Sequence, residues 1–218
     1  MPKADPPDEI RTEEPEQQGE RRVTIQHPDQ PFLIMAYKRP ARNHPDHQAL
    51  NVLAYLLGSG RTSMIYTEMV RDKQIALDAG AFPAFPGSRY PNLFLLYAVP
   101  NMGRSVEENE KNCYQIIERV QAGKISQVAL DRVKTTLRAE LIGKLDSNPG
   151  LAGEVASYHV AYGSWKVMFT ELEEIQKVKI EDIQRVAKQY LMPEKRTVAW
   201  TYQPAAKPAA AGAATEGK

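Results

Sequence analysis

A single cysteine, Cys113, stands among 218 residues, so no internal disulfide framework is available and the fold must rest on packing. Cys113 falls at an apolar helical position beside Ile116 and Ile117, which reads as a buried, inert thiol rather than a nucleophile. Histidine is scarce as well: of the four in the chain, no two stand four apart with a glutamate between them. That is the spacing that lets two imidazoles on one helical face share a zinc ion beside a general base. The nearest approach, His44-Pro45-Asp46-His47, has the wrong spacing and a proline inside it, so it reads as an ordinary helix start. The balance of 28 basic against 27 acidic residues leaves a net charge of +1 and no long-range field for nucleic acid or an anionic membrane. No apolar run is long enough to span a bilayer, and no signal-peptide pattern opens the sequence.

Large apolar side chains are scarce at both ends. Residues 1–20 carry Pro2, Pro6, Pro7 and Pro15 among Asp, Glu and Gln; residues 204–218 are mostly Ala, Pro, Gly and Lys. Neither stretch can bury enough surface to offset its ordering entropy. The reading is therefore a disordered linker over 1–20, one folded domain over 21–203 and a disordered tail over 204–218. A domain of roughly 180 residues buries about 70% of its unfolded surface, ample for a core.

What is present is a run of periodic segments. Arg21 to Gln26 alternates, with Val23 and Ile25 on one face, and Phe32 to Tyr37 is a second β-rich run. A helix opens at His44-Pro45-Asp46, with proline suited to the first turn and the acidic residue to the helix dipole. Its apolar face is Ala49, Leu50, Leu53, Leu56 and Leu57, and Gly58 closes it. A second helix is expected from Thr62 or Ser63, one of which caps it, to Arg71, with Ile65 and Met69 inward. Ile75 to Phe82 and Leu93 to Val99 read as strands, the second so apolar that it belongs in mid-sheet. Helical faces follow at Cys113/Ile116/Ile117/Val120, Leu130/Val133/Leu137/Leu141, Leu151/Val155/Tyr158/Tyr162 and Ile180/Ile183/Ala187/Tyr190. His159 shares the third of these helices and reads as packed or half-buried. Val198, Trp200 and Tyr202 close the chain as a strand. The order does not alternate βαβ, so the expected class is α+β, an antiparallel sheet covered on one face by helices.

The segment Gly58-Ser59-Gly60-Arg61-Thr62-Ser63, with Ile65-Tyr66 and Val70-Arg71-Asp72-Lys73 behind it, is a glycine break between two helices. It is not a phosphate loop, because no Gly-Lys-Ser/Thr follows and no strand precedes it. Together with His44-Pro45-Asp46, the Leu50 to Leu57 helix, Ile75-Ala76 and Ile180-Glu181-Asp182, it resembles the C-terminal, zinc-free domain of M16 (pitrilysin/insulinase-type) metallopeptidases. The resemblance covers roughly Arg21 to Tyr202. The family's zinc motif, H-x-x-E-H, is absent from the sequence.

The resemblance implies an M16-like α/β roll that forms one wall of a peptide-binding chamber. Zinc is then expected in a partner N-terminal domain, in the same chain or a separate subunit, and not in this one. It implies peptide as substrate and leaves homo-oligomers open. The C-terminal half of active relatives contributes an arginine and a tyrosine near the scissile carbonyl, a pair suited to holding the peptide and its developing oxyanion. The arginine corresponds to Arg71. The tyrosine normally follows a Gly-Leu-Ala-type segment, which here is Gln74-Ile75-Ala76 and one residue shorter, so the position falls on Leu77, which cannot donate a hydrogen bond. Tyr66 and Tyr90 are the nearby tyrosines in sequence. Two readings of Arg71 therefore stand: a cation at a helix C-terminus, and a substrate contact. Two readings of the chain stand with them: the non-catalytic half of a zinc peptidase, predicted inactive in isolation, and an inactive scaffold or interaction subunit. The compartment is open; bacterial relatives of this length are often exported to the periplasm.

Overall fold

Leu33, Met35 and Tyr37 point to one side of their strand and are essentially unexposed, while Ile34, Ala36 and Lys38 point to the other. This period-two division organises the whole molecule. A computed structural model describes residues 14–203; all of the expected tail and most of the expected linker lie outside the described residues. Within the described residues Glu14 pairs with Lys38, and the side chain of Gln17 is buried against the Arg196 carbonyl at 2.7 Å.

The strands are β1 (Arg21–Gln26), β2 (Leu33–Arg39), β3 (Ala76–Phe85), β4 (Asn92–Pro100) and β5 (Arg196–Tyr202). The helices are α1 (His47–Gly58), α2 (Val106–Gln121), α3 (Gln127–Leu145), α4 (Asn148–Tyr162), α5 (Val167–Lys177) and α6 (Ile180–Tyr190), with a π-helix at Tyr66–Asp72. The sheet runs β1-β5-β2-β4-β3. The α+β class is as expected. The neighbours β5, β2, β4 and β3 are antiparallel in turn, while the edge pair β1–β5 is parallel, so the sheet is mixed. A parallel pair needs a long crossover, and here nearly the entire domain supplies it.

Helices α1, α2 and α6 lie on one face of the sheet and share its core with Leu33, Met35, Phe94, Leu96 and Val198. Cys113 sits in this core at 1% exposure, 3.8 Å from the Met69 sulfur, and burial pushes its thiol up to about 12. Helix α4 packs mainly on α3 and α5, one layer further out. That position corrects two expectations. The apolar faces read for α3 and α4 bury only Leu130 and Tyr158 fully, and His159 is exposed rather than packed.

The glycine break does its work differently from the expectation. Gly58 has no left-handed backbone; a Cβ there would lie 2.0 Å from the Ala81 nitrogen and 2.4 Å from the Gly80 carbonyl carbon. It is a glycine because α1 touches the β3 backbone at that point. Gly60 is the left-handed residue, with φ of 73°. Neither Thr62 nor Ser63 caps the next helix by its side chain; the Ser63 hydroxyl donates back to the Gly60 carbonyl at 2.8 Å.

The N-terminus of α1 is also bound sideways. Asp46 makes no cap bond to its own helix but accepts from Arg185 at 2.6 Å and the Tyr190 hydroxyl at 2.8 Å, both on α6. Burial works against its ionisation, but these bonds outweigh it and hold the carboxyl below its ordinary value. The next residue, His47, is buried against Arg39, whose Nη2 donates to His47 Nδ1 at 2.7 Å. Arg39 is 2% exposed with no carboxylate partner among the described residues, and burial lowers it to about 10. Arg42 closes the cluster: it pairs with buried Glu171 at 3.0 Å and lies 4.2 Å over the Tyr158 ring, fastening α5 and α4 to the loop before α1.

Two outcomes follow. Gly58→Ala forces backbone away from backbone, so it costs about 1–3 kcal/mol or more in urea denaturation, while Gly87→Ala, which meets nothing within 4 Å, stays near neutral. His47 is held down to about 3 by burial and by Arg39 and Arg42. Below pH ~6.5 the unfolded chain takes up a proton that the folded chain refuses until about pH 3, so stability present above 6.5 is lost as pH falls, by up to ~1.4 kcal/mol per unit. Replacing it, His47→Gln, flattens this acid limb in denaturation midpoints measured from pH 7 to 4; parallel limbs for the two proteins refute the assignment.

Candidate functional site

The candidate site is the corner where the π-helix Tyr66–Asp72 meets β3. A π-helix is rare because it widens the backbone spiral, and it persists where the surroundings hold it. Here Lys73 N donates to the Glu68 carbonyl at 2.9 Å and Ile75 N reaches back to the Met69 carbonyl at 2.9 Å. Met69 and Ile65 anchor the inner side at 0% exposure. The chain then turns through Gln74, whose φ of 51° makes it the one non-glycine residue with a left-handed backbone among the described residues. Such strain is retained where neighbours over-determine it. Asn101 Nδ2 donates to the Gln74 carbonyl at 2.9 Å, and Ile75's carbonyl accepts from Asn101 N and the fully buried Asn109 Nδ2, both at 3.0 Å.

Beneath the turn, Glu68 receives Lys73 at 2.7 Å and Arg119. Its burial favours the neutral acid, yet the bonds from those two cations hold it below the ordinary carboxylate range. The corner is thus rigid beneath and open above. Arg71 is on the open side, its side chain 62% exposed, with Nε 2.7 Å from Asp72 Oδ1 and Nη2 3.2 Å from Oδ2. A ligand's carbonyl or carboxylate has to compete with Asp72 for that fork.

Leu77 is half-exposed at a bulge where β3 leaves the turn, between the paired residues Ala76 and Asp78. The structure therefore brings Arg71 and Leu77 to the same corner. Tyr66 opens the same π-helix, five residues before Arg71 and so on the order of one π-turn from it, whereas Tyr90 follows the far end of β3, a ten-residue strand about 33 Å long.

A tyrosine that sequence spacing did not reveal does approach. The Tyr97 hydroxyl donates to Asp78 Oδ2 at 3.2 Å, next to Leu77, and its ring stacks between Phe82 at 5.3 Å and Phe32 at 6.1 Å. Its proximity depends on the Gly80–Tyr97 register, which local sequence does not carry. Strand β3 is also a sheet edge, and among the described residues no strand pairs with its outer side, which Pro83 interrupts.

The histidines do not fit a zinc ion. His47 Nδ1 is committed to Arg39, and the Nδ1 of exposed His44 accepts from the Asp46 backbone at 3.1 Å. Among the described residues no group of three His, Cys, Asp or Glu side chains is placed to hold a metal ion.

Comparison with known proteins gives this corner its context. The profile described as "Peptidase M16 inactive domain" matches residues 2–137. The zinc protease PqqE of Helicobacter pylori is 31% identical over 192 residues, covering 84% of this chain and 41% of that protein. A mitochondrial cytochrome b-c1 complex subunit 2 from Rattus norvegicus is 25% identical over 167 residues, or 73% of this chain and 36% of the subunit. Among solved structures, a protease from Helicobacter pylori superposes with a TM-score of 0.83 at 27% identity, over 93% of this chain and 48% of its own. A peptidase M16 inactive domain from Pseudomonas fluorescens gives 0.76 at 17% identity, over 92% and 47%. The chain thus spans less than half the length of each of these relatives. With the profile and the PqqE match in agreement, the chain belongs to the M16 peptidase family and corresponds to its inactive domain.

Proposed function

We propose that this chain is the non-catalytic C-terminal half of an M16-like zinc metalloendopeptidase, one wall of a chamber that closes over a zinc-bearing N-terminal half. The observation that carries the reading is the match to an M16 inactive domain, over most of this chain but under half of a zinc protease. The exposed Arg71 fork beside the outer edge of β3 supports it. An extended peptide laid along that edge would pair through its backbone without strict sequence readout. Arg71, released from Asp72, would then donate to a peptide carbonyl and to the oxyanion that develops on it. The metal belongs to the other half in this reading.

One observation favours a second reading, an inactive scaffold or interaction subunit. Leu77 stands where the family's tyrosine is expected, and it can donate no hydrogen bond. Two of the relatives are named as subunit 2 of the mitochondrial cytochrome b-c1 complex, that is, as members of an assembly.

In the protein reassembled from both halves, Arg71→Ala is expected to lower peptide kcat/KM by about tenfold or more with assembly unchanged by gel filtration. Unaltered turnover with intact assembly removes Arg71 as a substrate contact and favours the scaffold. The 218-residue chain alone is expected to cleave no casein; chelator-sensitive cleavage by the pure chain would sink the proposal.

A further inference from the structure

A buried guanidinium is costly unless an anion or a full set of acceptors meets it, and Arg39 is met only in part. It ends β2 with Nη1 on the Pro83 carbonyl and on Asn51 Oδ1 at 3.3 Å, and Nη2 on His47 Nδ1. Its Nε is buried and has no hydrogen-bond partner among the described residues. Glu171 stands on the far side of the His47 ring, 3.9 Å from Nε2. Arg39 lines a cavity of about 200 Å³ whose other walls are Glu16, Gln17, Lys38, Pro40, Tyr190 and Lys195. Most of the polar groups in these walls are already committed. The Tyr190 hydroxyl is taken by Asp46, and Gln17 Nε2 by the Gly19 and Arg196 carbonyls. The Lys38 ammonium is taken by Glu14 and the Pro15 carbonyl. Arg39 Nε and the ammonium of half-buried Lys195 remain, and Lys195 forms no ion pair among the described residues. Glu16, the only carboxylate among the described residues of the lining, is exposed.

We propose that this cavity is a carboxylate-binding site, sized for a small organic acid. One oxygen meets Arg39 Nε, the other Lys195 Nζ, and the apolar body lies against Pro40 and the Tyr190 ring. A carboxylate suits the walls better than a phosphate does. One guanidinium N–H and one ammonium serve the two oxygens of a monoanion, whereas a phosphate would press its further oxygens on apolar wall without partners. At ~30 Å³ per water-sized group the space holds roughly six non-hydrogen atoms, the size of butyrate. Arg39 remains a cation at pH 7, since burial lowers it only to about 10, and a bound carboxylate supplies the opposite charge that it lacks. The site shares no residue with the Arg71 fork and does not depend on the reading of the chain as half of a peptidase.

Butyrate is the probe, titrated into the 218-residue chain at pH 7 and constant ionic strength while the Arg39 Nε–H signal is followed by proton–nitrogen NMR. The expected result is a shift that saturates with butyrate and is absent with butylammonium chloride. Lys195→Met is expected to weaken the dissociation constant about threefold or more, while Lys111→Met, an exposed position on α2, leaves it unchanged. Lys195→Met keeps the test open should Arg39→Gln, which is expected to abolish binding, fail to fold. A shift that stays proportional to butyrate overturns the proposal. So does equal weakening by Lys111→Met and Lys195→Met, or tighter binding of inorganic phosphate than of butyrate. Deleting residues 1–13, or replacing Glu16→Gln, separates the sources of the carboxylate. Saturable binding that appears only after either change keeps the site and assigns its occupant to an acidic side chain of the protein's own N-terminal segment. Saturable binding indifferent to both assigns it to a free acid.

Discussion

Helix α1 lies with its last turn directly on the backbone of β3, and that approach sets the distance between the helix layer and the sheet. Two small residues make it feasible: Gly58 faces the Gly80–Ala81 peptide, and the Gly58 carbonyl would be 2.9 Å from a Cβ at Gly80. Because the end of α1 is pinned there, the break that follows must turn at once, and left-handed Gly60 provides the turn. The π-helix that follows packs on β3, with Met69 turned into the core and Arg71 left exposed.

The opposite end of α1 is held by charge in place of close packing. Burying guanidinium groups is costly unless they are satisfied. Arg42 is satisfied by Glu171 and by the faces of Tyr158 and Tyr162, whereas Arg39 relies on the Pro83 carbonyl, Asn51 and a neutral histidine. These contacts join β2, α1, the end of β3 and the outer helices. The arrangement trades stability for a defined geometry, since a purely apolar cluster would slide more readily.

Much of this was legible from residues alone. The β-rich run Phe32 to Tyr37, the Leu50 to Leu57 face and the apolar run of β4 report burial, which is a local property of side chains. The Gly-Ser-Gly break and Arg71 were likewise visible as punctuation and charge. What escaped was whatever depends on a partner distant in sequence. Asp46 reads in sequence as an acidic residue suited to the helix dipole; the donors that bind it, Arg185 and Tyr190, are on the sixth helix. The apolar positions of α4 gave no sign that this helix sits in an outer layer, and so misplaced His159. Tyr97 reaches the corner through strand register alone. The direction of β1 was equally hidden, because alternation shows that two faces differ but not which one meets the core.

Strand β5 is inserted between β1 and β2, so the sheet's order cannot be completed from the N-terminal side. Arg21 waits for Thr197 as its ladder partner, and Leu33 for Trp200. During synthesis, β2, β4 and β3 can assemble with α1 while β1 has nothing to pair with. Such a long closure is slow, because its entropy must be met before the contact forms. For that interval the growing chain carries a vacant slot with strand edges on both sides, open to any extended segment nearby. Ribosome release of residues Arg196–Tyr202 is therefore the event that converts a partly built sheet into a finished one.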